Sequence, residues 1–155
     1  MNITLTPIGY VRTTRADPTD DNWDAETTRI ELDTTRFTTD ALLSLDTFSH
    51  VEVLYWFHHA EAATPVTGAR HPRGNKDWPL VGIFAQRGKN RPNRIGLTIC
   101  EILKVGGTTL HVKGLDAIDG TPVLDLKPWV SDFGPRGDIR EPQWMKDLMS
   151  GYWET

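Results

Sequence analysis

The sequence predicts an all-β protein, a small antiparallel β-barrel with long loops and one or two short helices. Three observations carry this expectation. Apolar and polar residues alternate with a period of two in one segment after another, with β-branched and aromatic residues at the alternating positions. Glycine-rich steps separate several of these segments, as tight turns between antiparallel strands require. Helical periodicity is scarce, which removes the flanking helices that a parallel sheet would need. Short strands punctuated in this way favour a sheet that closes or wraps into a barrel.

The elements follow in chain order. Residues 8–12 form the first expected strand, and residues 13–27 then hold the acids Asp17, Asp20, Asp21, Asp24 and Glu26 around Trp23. A second strand is expected over 28–32. Thr38-Thr39-Asp40 ahead of residues 41–45 has the chemistry of a capped short helix. Strands are expected over 50–57 and 81–86, separated by the long turn-rich segment 60–79, and further strands over 96–105, 108–114 and 121–127. Val105-Gly106-Gly107-Thr108 reads as a two-residue hairpin turn that needs positive φ, and Asp119-Gly120 repeats the hairpin signal. Pro142, followed by residues 144–149 and Gly151, reads as a second short helix. No composition shift or internal repeat interrupts the chain, so a single domain is expected over residues 1–155. Loops as long as 13–27 and 60–79 in a small domain are more often functional than idle.

Composition narrows the class. The 155 residues carry 17 Lys plus Arg and 21 Asp plus Glu, a net charge of -4, with 25% charged and 38% hydrophobic residues. Such values remove the compositional case for disorder, collagen or coiled coil. The longest apolar runs fall far short of the roughly 20 residues that span a bilayer. The first ten residues lack the pattern of a secretory leader, and the lone Cys100 excludes an intrachain disulfide, so a cytoplasmic protein is expected. Charge is unevenly spread: residues 70–94 hold seven Lys/Arg against the single acid Asp77, a local balance of +6 on a body of -10. An acidic body with one basic stretch fits either a localised anion site or a solvated loop.

The chain lacks the glycine fingerprint of dinucleotide folds, the P-loop, a Cys-x-x-Cys pair and the Gly-x-Ser-x-Gly elbow. His58-His59, with His50 and His71, raise the possibility of a metal, but neighbours on a strand point to opposite faces, and no metal site is expected. Cys100 lies in an apolar stretch and reads as a small buried hydrophobe. The most informative stretch is Arg87-Gly88-Lys89-Asn90-Arg91-Pro92-Asn93-Arg94, a loop of cations and amides between apolar strands. Guanidinium forks suit carboxylate or phosphate and an Asn amide matches a nucleobase edge; equally, the loop fits a hairpin whose arginines stay in water.

Four ordered motifs then converge. They are Ile8-Gly9-Tyr10-Val11-Arg12-Thr13; Phe48-Ser49-His50 before a strand ending Phe57-His58; Val81-Gly82-Ile83-Phe84-Ala85-Gln86-Arg87 with Arg91-Pro92-Asn93-Arg94-Ile95-Gly96-Leu97; and Leu115-Asp116 through Asp119-Gly120-Thr121-Pro122-Val123 to Lys127-Pro128. Together they cover most of the chain from Ile8 to Trp129. This set resembles the TsaA/TrmO-like family of YaeB-like proteins, in its short form without a C-terminal extension.

The resemblance implies a β-barrel that binds S-adenosylmethionine without a dinucleotide fold, acts as a homodimer, and N6-methylates threonylcarbamoyl-adenosine beside the tRNA anticodon. Carried over by motif, the cofactor-binding residues are His58, His59, Arg87, Leu97, Gly114, Leu115 and Asp116, and Arg91 and Asn93 are assigned to positioning the acceptor. The acidic 17–26 loop does not match the family pattern and receives no role. Methyl transfer by in-line displacement needs near-attack positioning and no metal, and an acceptor for the amine's positive charge would help, with Asn93 and Asp116 as candidates. Arg94 stands where proline is common in the family, and Arg70-His71-Pro72-Arg73-Gly74-Asn75 is only a loose match. The acidic net charge also runs against tRNA, whose binding leans on phosphate neutralisation. A methyltransferase of a small-molecule acceptor and a non-catalytic S-adenosylmethionine-binding module therefore stand as alternatives.

Overall fold

The structure is a computed structural model that describes residues 1–154. Its strands are β1 (Gly9–Arg12), β2 (Thr27–Leu32), β3 (His50–Trp56), β4 (Ala69–Arg70), β5 (Val81–Gly82), β6 (Ile95–Gly106), β7 (Thr109–Lys113) and β8 (Pro122–Pro128). Six of them close into a barrel in the order β1-β2-β7-β6-β3-β8, every ladder antiparallel, and β4 and β5 form a separate two-stranded piece. The all-β barrel read from the sequence is the fold. Closure removes the open edges that an antiparallel sheet would otherwise expose.

Alternation decides what fills the barrel. Val51, Val53 and Tyr55 on β3, Thr98 and Cys100 on β6, Leu110 and Val112 on β7, and Ile30 on β2 point inward and are buried. Their neighbours point outward, so Leu97 and Ile99 lie on the outer face of β6. Gly96 sits opposite Tyr55 in the β3–β6 register, and a Cβ there would lie 2.4 Å from the tyrosine ring. Only glycine lets the ring pack flat against that strand.

The barrel has two distinct ends. At one, the connection from β2 to β3 runs through short 3-10 turns and lays Phe37, Leu42 and Leu45 beside Ile8, Leu32 and Leu126 around an apolar cavity. At the other, the connection from β7 to β8 crosses the opening and buries Leu115, Ala117 and Ile118. α1 (Gln143–Met149) follows the last strand, and the chain then returns to this second end.

Three expectations need correction, and a fourth, the glycine hairpin, holds with its loop moved by one residue. Residues 81–86 are strand only at Val81–Gly82; Ile83–Ala85 is a 3-10 turn, and the Gln86 amide donates to Arg70 O and Val81 O at 3.2 and 3.0 Å, a side chain occupying acceptors a strand would have used. Asp119-Gly120 is a turn, with Gly120 at φ +76, but no hairpin: β8 pairs with β1 and β3, because the chain crosses the barrel end before entering it. The β6–β7 hairpin does form, with Gly106 opposite Thr109, so Gly107 and Thr108 are its two loop residues and Gly107 holds the positive φ of +64. The expected helix at 41–45 is instead two 3-10 turns, Thr39–Leu42 and Leu45–Thr47, the first without a side-chain cap.

Candidate functional site

The second end gathers most of the residues singled out from the sequence. β7 ends at Lys113 and Gly114 takes φ +79, which turns the chain inward. Leu115 is buried beneath the turn, and Asp116 aims its carboxylate at the interior faces of β3 and β6. Tyr55 Oη donates to Asp116 Oδ1 at 2.8 Å, Thr98 Oγ1 also donates to Oδ1, and Tyr152 Oη donates to Oδ2 at 2.5 Å. Three hydroxyls thus converge on one half-buried carboxylate. Burial first, and the Asp116 charge second, hold the Tyr55 and Tyr152 phenols well above the ordinary tyrosine range, so both remain donors. The Cys100 thiol, pushed up by burial and then by Asp116, points at Gly114 O from 3.6 Å and is an inert member of the wall.

His58 and His59 do not share a strand. They begin a 3-10 turn just past β3, with ring centroids 4.3 Å apart, so the opposite-face argument does not apply to them. Burial, and then the neighbouring His59, lower the His58 pKa and favour its neutral ring. Its Nε2 borders Gly120, where an added Cβ would lie 4.0 Å away.

The basic loop is tied to the same end by its own arginines. Arg87 donates to Leu97 O, on the outside of β6, and the Leu97 side chain is 41% exposed there. Arg91 Nη1 donates to Gln86 O at 2.8 Å, and Arg94 spans Ala60 O, Glu61 O and Ala63 O at 3.0, 3.2 and 2.9 Å. Arg73 pairs with Asp21 at 2.9 Å, and Arg70 meets Gln86 at 3.4 Å. Five of the seven cations in the +6 stretch therefore hold the protein's own loops together. Asn93 is exposed in the turn, and the Arg73–Asp21 pair joins the basic stretch to the acidic loop.

The acidic loop is folded, which its composition did not reveal. Trp23 is buried at 5% exposure, with the Arg15 guanidinium 3.5 Å over its ring, and Arg15 also donates to Thr19 O, Asp21 O and Asn22 O. Asp119 accepts from Thr13 N at 3.1 Å and serves as a turn residue.

The expected residues therefore fall into three groups: Gly114, Leu115 and Asp116 with His58 and His59 at the barrel end; Arg87 and Leu97 on the adjoining outer face; and Arg91 and Asn93 in the loop beyond. Sequence reasoning missed Tyr55, Thr98 and Tyr152. The first two were legible as polar residues at inward positions of apolar alternation; nothing local marks the third. Among the described residues, no three His, Cys, Asp or Glu side chains gather as metal ligands.

Comparison with known proteins adds the family context. Residues 11–134 match the model of the tRNA-methyltransferase O N-terminal domain. A probable S-adenosyl-L-methionine-binding protein of Methanothermobacter thermautotrophicus is 38% identical over 141 residues, 88% of this chain and 97% of that relative. Human tRNA (adenine(37)-N6)-methyltransferase is 37% identical over 102 residues, covering 66% of this chain but 23% of the human protein. The crystal structure of TrmO from Pseudomonas aeruginosa matches with a TM-score of 0.72 at 30% identity, over 90% of this chain and 61% of that one.

Proposed function

The chain belongs to the tRNA-methyltransferase O N-terminal domain family, and from that premise we propose that it is an S-adenosylmethionine-dependent methyltransferase whose acceptor is the threonylcarbamoyl-adenosine beside the tRNA anticodon. The observation that carries this reading is the carboxylate of Asp116, held by three hydroxyls at the barrel end that the β7–β8 connection crosses.

The residues present fit the cofactor's chemistry. A carboxylate accepts about four hydrogen bonds, so Asp116 retains capacity for a ribose hydroxyl or an ammonium group. Leu97 offers an exposed apolar surface and Arg87 a guanidinium beside it. S-adenosylmethionine supplies a methyl group made transferable by its sulfonium. The protein's work is to hold donor and acceptor in line and to keep water out, which suffices for a displacement of this kind. Arg91 keeps donors to spare beyond its bond to Gln86 O, and with exposed Asn93 it is placed to orient the acceptor. A guanidinium that donates to a carbonyl keeps its charge, so Arg87 and Arg91 join Lys76 and Lys89 as cations of the basic stretch able to neutralise phosphate, and tRNA binding by this chain should weaken as salt rises.

Ile95 and Ile99 on the outside of β6, 37% and 49% exposed, support a homodimer. We assign residues 1–155 to one domain acting in the cytoplasm, and no helix among the described residues is long and apolar enough to cross a membrane. The chain spans nearly the full length of the archaeal relative and under a quarter of the human enzyme; that the archaeal relative is a probable S-adenosyl-L-methionine-binding protein supports a donor-binding module without turnover as the second reading.

Labelled methyl transfer from S-adenosylmethionine to tRNA of a strain lacking the protein tests the assignment. Label in a single modified adenosine is expected. Tight donor binding with no transfer to tRNA or small acceptors selects the binding module. Leu97→Arg is expected to abolish donor binding in a folded protein, while Arg91→Ala and Asn93→Ala should lower transfer with donor affinity nearly intact.

A further inference from the structure

After α1 the chain turns at Ser150, and Gly151 takes φ +109, a conformation that disfavours any side chain. This turn sends the last described residues back along the acidic loop. Asn22 N donates to Gly151 O at 3.3 Å and Trp23 N donates to Tyr152 O at 3.0 Å, so the returning segment docks on a loop that buried Trp23 anchors. Tyr152 thereby reaches Asp116. Burial and then Asp116 keep its phenol protonated and able to donate.

The division of donors on Asp116 gives Tyr152 a distinct task. Tyr55 and Thr98 both donate to Oδ1, whereas Tyr152 alone among the described side chains donates to Oδ2. The terminal torsion of an aspartate is broad and weakly restrained. Two donors on one oxygen leave the carboxylate plane free to swing; a third on the other oxygen fixes it. We propose that Tyr152 is a positioning residue of the donor site, its hydroxyl locking the carboxylate of Asp116 so that the remaining acceptor position is presented to a hydroxyl or ammonium group of the methyl donor. The C-terminal segment is on this view a working wall of the site. The proposal rests on reading this end of the barrel as the donor site, and it adds a residue outside every motif that suggested that reading.

Tyr152→Phe keeps the ring and removes only the hydroxyl. Calorimetry with S-adenosylmethionine should show donor Kd raised about ten-fold, with KM for the donor rising in parallel and kcat changed less than about two-fold, because the interaction is the same in ground and transition states. In an Asp116→Asn background the same change should add less than about two-fold, since Tyr152 acts through Asp116. Unchanged donor affinity in folded Tyr152→Phe overturns the proposal, and so does a full ten-fold loss on top of Asp116→Asn. Should Tyr152→Phe not fold, amide exchange in the unaltered chain decides: donor binding is expected to slow exchange at Asn22 and Trp23 several-fold, and no change there overturns it. An unaltered chain that binds no S-adenosylmethionine at all is a separate result, removing the donor-site reading itself and the role of Tyr152 with it.

Discussion

The two ends of the barrel are closed by connections that do the same mechanical job with opposite chemistry. Between β2 and β3, Phe37, Leu42 and Leu45 cover the strands with hydrocarbon, and the closure asks for no partners. Between β7 and β8, Leu115, Ala117 and Ile118 do the same, but Asp116 stands among them and is matched by Tyr55, Thr98 and Tyr152. Apolar closure gains roughly 25 cal/mol for each Å² buried. Polar closure is costly unless each buried group finds a partner, and it is then specific in geometry. The difference teaches where chemistry sits: the apolar end stabilises, and the polar end holds a carboxylate in a fixed place.

The largest effect should come from breaking the polar end. Asp116→Ala takes the charged acceptor from the Tyr55 and Thr98 hydroxyls, although Tyr55 Oη keeps the residue 116 carbonyl at 3.3 Å, and should cost about 3–4 kcal/mol of stability, at about 1.5–3 kcal/mol per hydrogen bond to a charged group, together with donor binding. Urea unfolding and calorimetry on one preparation measure both. Leu42→Ala at the apolar end should cost about 2–3 kcal/mol, near the low limit for such truncations because the cavity beside it is already open, and should leave donor affinity unchanged. If that variant weakens donor binding as much as it weakens the fold, the two ends are not independent.

A smaller change sharpens the comparison from inside the polar half. Thr28 on β2 is fully buried and its hydroxyl has no hydrogen-bond partner among the described residues, so Thr28→Val should raise stability by about 1 kcal/mol in the same urea assay. The smallest effect is on pH dependence. His58 has its pKa lowered from 6.5 by burial and then by His59, so the unfolded chain takes up this proton at higher pH than the folded one. Its contribution is present above pH 6.5 and lost as pH falls below it. Asp33, at the apolar end, is lowered from 3.8 by its hydrogen bonds to Thr35, so its contribution is lost only in stronger acid. Urea midpoints followed from neutral to acid pH should show both windows, and His58→Gln should flatten the upper one alone.

Much of this contrast was legible in the chain, and the illegible part has a common character. Alternation along residues 50–57 and 96–105 marked both strands, and Cys100 was legible as a buried wall residue, but Tyr55 and Thr98, polar residues at inward positions of the same alternation, went unread as partners of Asp116. The same rule misread residues 81–86, because Ile83, buried between exposed Gly82 and Phe84, imitates a strand while the buried Gln86 side chain takes the backbone acceptors. Asp119-Gly120 announced a turn correctly, yet which strands flank it in the sheet depends on the chain first crossing the barrel. The charge of residues 70–94 was plain, but its use was not: Arg91 and Arg94 spend donors on carbonyls of their own loops, and Arg73 meets Asp21 from 52 residues away.

The sequence by itself determined the strand periodicity, the glycine turns and the family to which the motifs belong, because each is written in spacings of a few residues or in local side-chain chemistry. Tertiary structure alone decided which loop arginines are left for a ligand, that the acidic loop is folded around Trp23, and that Tyr152 reaches Asp116. Those outcomes hang on contacts between distant segments, and such contacts form only when barrel closure has already brought their ends together, so no local pattern of residues encodes them.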